Sequence, residues 1–232
     1  MADLLGFVLL LLVGQASAPV GSYSPVGRVV ANAVNHAGRP AVEVKVPATA
    51  IYAGVTRFPL YGVADAEIHA FIEADEQRRV RRLYWIQFES YLPDRPDHRY
   101  EYGANDRRMD GWGAPVWVRT FLSNTQRPAR AGSDSESVRS IVARAGYRLP
   151  PEMMMARLVR LLDDPQGSGY GRSELMLIYA EDLAPSGFSI ADLTAADGEA
   201  NANWPPLEAP LIERAKAAFS VASTKATSAQ ND

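Results

Sequence analysis

Val80–Leu92, VRRLYWIQFESYL, is the stretch on which the fold turns. It is dense in aromatic and β-branched residues, the composition of a strand that packs on a pleated surface. Period-two alternation divides it into two faces. Arg82, Tyr84, Ile86, Phe88 and Leu92 share one, with Ser90 between them. Leu83, Trp85, Gln87, Glu89 and Tyr91 share the other.

Working upstream, Ala66–Ala74 alternates in the same way, with Ile68, Ala70 and Ile72 set against Glu67, His69, Phe71 and Glu73. Asp75-Glu76-Gln77-Arg78 between these two runs supplies a hairpin connection. Val42–Val46 is a further short strand, stopped by Pro47. Downstream, Pro115–Leu122 places Trp117, Arg119 and Phe121 opposite Val116, Val118 and Thr120. Residues 93–114 form a polar loop in which Arg99–Tyr102 allows a short edge strand.

The period then changes. Ser133 and Glu136 form a capping-box pattern, Val138, Ile141, Val142 and Ala145 follow on one helical face, and Gly146 supplies the stop. Pro151, with Met154, Leu158, Leu161 and Leu162 after it, predicts a second helix. Met153-Met154-Met155 would point about 100° apart on that helix, which suits core filling better than a thioether metal site. Glu174–Leu183 is a short apolar run without a decisive period. The Gly-rich loop 167–171 before it and Pro185-Ser186-Gly187 after it favour a central strand. Pro210–Val221 predicts a last amphipathic helix through Leu211, Ile212, Ala215 and Phe219.

Strands come early and helices late. That order predicts an α+β domain over residues 41–222, a mainly antiparallel sheet with two to four helices packed on one face. An extended or poorly ordered arm, 19–40, precedes it and a disordered tail, 223–232, follows. At the N-terminus, Leu4–Val13 is apolar apart from Gly6, too short to cross a bilayer and suited to a signal peptide over residues 1–18. Ala16-Ser17-Ala18 supplies small residues for cleavage; a cut after Ala16 avoids Pro19, and no Lys or Arg precedes the apolar run. The expected location is periplasmic or extracellular, with no membrane span left in the mature chain once the signal is removed.

The composition, 47% hydrophobic and 22% charged over 232 residues, is that of a globular protein. A net charge of −3 makes no electrostatic case for nucleic acid. The absence of cysteine excludes disulfides, thiolate catalysis and Cys-ligated metals. No nucleophile elbow, phosphate loop or H-E-x-x-H helix occurs, and the three histidines, His36, His69 and His98, form no ligand pattern. No catalytic residue, metal or cofactor is assigned.

The candidate site is a polar sheet face. Alternation groups Trp85 with Gln87 and Glu89, and groups Tyr179 with Glu181; His69 shares a face with Phe71. If these faces coincide, the six residues His69, Trp85, Gln87, Glu89, Tyr179 and Glu181 line a partly aromatic concavity of the kind ligands use. A solvated sheet face accounts for the same pattern. The function expected is an exported domain that binds a small or amphipathic ligand or an envelope component, with Trp85→Ala costing binding and little fold. One alternative is a hydrolase or isomerase with Glu89 or Glu181 as general base. Another is a structural or interaction domain, docking through Arg78-Arg79-x-Arg81-Arg82 or the last helix.

Overall fold

The computed structural model describes residues 23–38, 40–103 and 106–223. The signal segment and most of the C-terminal tail lie outside these residues.

In chain order, β1 (Arg28–Val30), β2 (Ala33–His36) and β3 (Val42–Lys45) come first. The long strands β4 (Ile51–Leu60), β5 (Ala64–Ala74) and β6 (Val80–Tyr91) follow. Then come β7 (Tyr100–Glu101), β8 (Arg107–Gly111), β9 (Ala114–Asn124) and α1 (Asp134–Arg144). The last part holds β10 (Glu152–Leu161), β11 (Tyr170–Gly171), β12 (Ser173–Asp182), α2 (Ile190–Leu193), α3 (Pro205–Ala218) and β13 (Ser220–Ser223). One seven-stranded sheet runs β4-β5-β6-β12-β10-β9-β8, antiparallel at every joint. A four-stranded sheet runs β1-β2-β3-β13, and β7 and β11 make a small ribbon.

This corrects the α+β expectation. Of the described residues, 46% lie in strands and 16% in helices, so the protein is a β structure with few, short helices. Nor do the helices share a face. Val138, Ile141 and Val142 of α1 pack with Ile68, Ile72, Leu83 and Trp85 on one side of the large sheet. Leu211, Ile212 and Ala215 of α3 pack with the small sheet's Val34, Val42 and Val44 on the other side, against Tyr84, Phe88 and Leu177. The chain is therefore layered, with the large sheet covered on both faces.

Local chemistry explains how α1 lies so close. Beneath it β5 presents Ala64, Ala66 and Ala70, and β4 presents Gly54 at φ +143°. A Cβ on Gly54 would meet Ile141 Cγ2 at 3.3 Å, so the missing side chain gives the helix its approach. Ser133 caps α1, its Oγ accepting from the Glu136 amide at 3.1 Å. The Glu136 carboxylate reaches back to the Gly132 amide, one residue before the cap, at 2.7 Å.

Several segments depart from the sequence reading, among them β8, a strand of the large sheet within residues 93–114, which read as a polar loop. Residues 151–162 are not a helix but the central strand β10. Buried on both faces, it lacks the polar contrast that marks a strand, and its Leu spacing mimics a helix. The last helix starts at Pro205, not Pro210, and gives way to β13 after Ala218. Within the arm 19–40, residues 28–36 form the hairpin β1–β2. β4, interrupted by Gly54 and Pro59, gave no strand signal; as an edge strand it tolerates both. No helix among the described residues is long and apolar enough to cross a membrane.

Candidate functional site

Register decides which side chains meet. Across β6 and β12, Trp85 faces Ile178, Gln87 faces Met176 and Glu89 faces Glu174. These rows lie under α1. His69 pairs with Ile86, Tyr179 with Tyr84, and Glu181 with Arg82, all on the side of the small sheet and α3. The six sequence candidates thus form two groups on opposite faces, and the sheet separates Glu89 from Glu181.

On the α1 side a polar relay runs along β6. The Trp85 indole N–H donates to Gln87 Oε1 at 2.6 Å, and Gln87 Nε2 donates to Glu89 Oε1. The Tyr100 hydroxyl donates to the other Glu89 oxygen at 3.0 Å. Opposite, Glu174 Oε2 accepts from the Tyr102 hydroxyl at 2.7 Å. Glu89 is 6% exposed and Glu174 is 3% exposed. Directly opposed residues on antiparallel strands have Cβ atoms about 5 Å apart, so two carboxyls share one dry site. Burial raises Glu89 to about 7 against the tyrosine's opposing hydrogen bond. Burial, and then the Glu89 charge, raise Glu174 to about 8. Two like acids so placed hold a proton near neutral pH that neither would hold in water.

The two tyrosines belong to a strap pinned by the β7–β11 ribbon and by the Tyr102 amide, which donates to Gly169 O at 2.9 Å. Arg157 on β10 ties the strap to the sheet. Its Nη2 donates to Asp106 Oδ1 at 2.6 Å, and its guanidinium lies 5.5 Å from the Tyr102 ring centroid.

Beside this cluster, between α1 and the sheet, is a cavity of about 160 Å³. Its floor is apolar, made by Leu83, Trp85, Met153, Met155, Met176 and Ile178. Its polar wall is Arg157 from β10 with Asp134, Ser135 and Arg139 from α1. Burial raises the Asp134 carboxyl above its ordinary value. In the methionine run, strand parity sends Met153 and Met155 into the cavity, while Met154 joins the opposite core.

The other group is held internally. Glu181 receives Arg214 through Nε at 2.8 Å and Nη2 at 2.7 Å, and also the Tyr179 hydroxyl. His69 bridges Glu67, 2.8 Å from Nε2, and the Tyr52 hydroxyl, 3.2 Å from Nδ1. Glu67 also accepts the Val26 and Gly27 amides at 2.5 and 2.6 Å. Burial alone would raise Glu67, but these hydrogen bonds outweigh it and hold the carboxyl below its usual range. The ionised Glu67 carboxylate can only accept, so the His69 Nε2–H donates to it. The network clamps the segment before β1 onto β5.

The basic cluster is likewise engaged. Arg79 and Arg81 meet Asp182, Arg82 meets Glu73, and Arg78 donates to the Ala145 and Gly146 carbonyls. Among the described residues no group of three or more His, Asp or Glu side chains is arranged to hold a metal ion.

Glu174, Arg157, Arg139, Asp134, Tyr100 and Tyr102 are site residues that sequence reasoning missed. Only Glu174 carried a signal, standing at even spacing before Met176 and Ile178 on a strand the sequence does suggest. Comparison with protein-family models, with curated proteins and with solved structures found no match.

Proposed function

We propose that the protein is an exported binding domain that holds a small amphipathic ligand in the cleft between α1 and the seven-stranded sheet. The observation that carries this reading is the cavity itself, an apolar floor around Trp85 with charged groups gathered on one wall. Mostly apolar walls with a few convergent polar groups are what small-molecule sites use. Export rests on the Leu4–Val13 run and the small residues that follow it.

The test is titration with the apolar fluorophore N-phenyl-1-naphthylamine. Saturable one-to-one uptake is expected. Met155→Trp, which fills the cavity from its floor, should weaken uptake at least about tenfold, or about 1.4 kcal/mol, with the circular dichroism spectrum unchanged. Native mass spectrometry of the wild-type protein with the fluorophore gives an independent reading of stoichiometry. No saturable uptake, or uptake undiminished in a folded Met155→Trp protein, would refute the proposal.

The Glu89–Glu174 pair favours a second reading, a hydrolase or isomerase. In it the protonated member of the pair acts as general acid and the ionised member as general base. Glu181, bound by Arg214 on the opposite face, has no place in that chemistry.

A further inference from the structure

We propose that the cavity under α1 selects an apolar anion, a carboxylate held by Arg157 and Arg139 with its hydrocarbon body on the Trp85 floor. This rests on the reading of that cavity as a ligand site, and adds the chemical class of what enters it.

Two observations point to an anion. Arg157 lines the cavity, and its Nε–H is buried with no acceptor, although its Nη2 is satisfied by Asp106. Arg139, on the facing helix, donates one Nη to the Thr125 and Arg127 carbonyls at 3.0 and 2.6 Å. It forms no ion pair among the described residues, although the Asp134 carboxyl shares the wall. The first turn of α1 meets the same wall, but its Ser135 and Glu136 amides already donate to Asp134 Oδ1 and Ser133 Oγ, which leaves the two guanidiniums as the anion's partners.

The opposing charges are few. Asp134 shares the wall, and Glu89 and Glu174 stand one row beyond Gln87 and Met176. Burial pushes all three carboxyls toward the neutral form. Tyr100 and Tyr102, facing the pair from the strap, stay neutral because burial raises both hydroxyls further still. Asp106 balances Arg157. At pH 6 the two glutamates, raised to about 7 and about 8, are therefore largely protonated, and Arg139 stands at the wall with no ion pair among the described residues. Carboxylate on guanidinium makes short, charge-assisted hydrogen bonds, about twice as strong as neutral ones.

A matched trio of probes separates charge from hydrocarbon: octanoate and octylamine below their micelle concentrations and 1-octanol below its solubility limit, titrated by calorimetry at pH 6. Octanoate is expected to bind at least about tenfold tighter than octanol, a difference of about 1.4 kcal/mol, with octylamine weakest. Arg139→Gln and Arg157→Gln should each weaken octanoate far more than octanol, narrowing the gap between the two probes. Arg139, which holds no ion pair, decides the matter if Arg157→Gln disturbs the strap. Octylamine binding as well as octanoate, or octanoate unaffected by Arg139→Gln in a folded protein, overturns the anion inference and leaves the cavity standing. Failure of all three probes to bind wild-type protein overturns the cavity reading, and this inference with it.

Discussion

Glu174→Gln is expected to raise the melting temperature at pH 8.5 while leaving it nearly unchanged at pH 4.5. The reason is proton linkage. Folded, Glu89 and Glu174 sit at about 7 and about 8, above the ordinary glutamate value near 4.5. The folded chain therefore keeps protons that the unfolded chain releases. Their contribution to stability is complete below about pH 4.5 and is lost as pH rises to about 8. Each retained proton accounts for up to about 1.4 kcal/mol per pH unit across that window. A glutamine at 174 keeps an acceptor for Tyr102, carries no charge and offers an amide donor to Glu89. At pH 8.5 the gain should be about 2–4 kcal/mol, equivalent to roughly 5–10 °C in a chain of this size. Melting curves of both proteins from pH 4.5 to 9 measure it. Parallel profiles would mean the two acids are not sharing a dry site.

Trp85→Ala is expected to remove about 3–5 kcal/mol of stability, a large part of the 5–15 kcal/mol that domains possess. Alternation along β6 gives Trp85 a polar row, Gln87 and Glu89, and so predicts little loss of fold. At 3% exposure the indole is core, and that expectation is reversed. Two costs add. Truncation enlarges the cavity that Trp85 already borders, and Gln87 Oε1 loses its donor in a buried place. Trp85→Phe keeps most of the apolar volume and loses the donor alone, for about 1–2 kcal/mol. Urea unfolding of the two variants gives both numbers. A loss below about 1 kcal/mol in Trp85→Ala would place the ring on a wet surface.

How legible all this was depended on contrast. β5, β6 and β9 carry polar residues among apolar ones, so their period shows. α1 announces itself by Ser133 and Glu136. β10 carries MMMARLVRLL with apolar groups on both faces, and Pro151 ahead of it looked like a helix start; burial on both sides erased the signal. β13 is four residues long and extended only because β3 pairs with it, which no local pattern records. The site divides the same way. That Trp85, Gln87 and Glu89 share a face is a property of one strand and was readable. That Glu89 meets Glu174, with Glu181 on the far face, depends on how two distant strands align. The tyrosines that complete the pair come from a segment whose strand is two residues long.

The pairing of β13 with β3 has a kinetic side. Val221 sits opposite Val44, so the small sheet gathers its four strands from both ends of the described chain. Contacts between such distant segments form late, because the loop between them must close before they repay it. Until then β3 presents a bare edge, and the Val34–Val44 side of the core waits open against the large sheet. The large sheet and α1 are contiguous from β4 to β12 and can assemble first. β13, which follows Phe219 at the end of α3, closes the β3 edge, so a chain cut before Ser220 is expected to leave that edge and the Val44 side of the core uncovered.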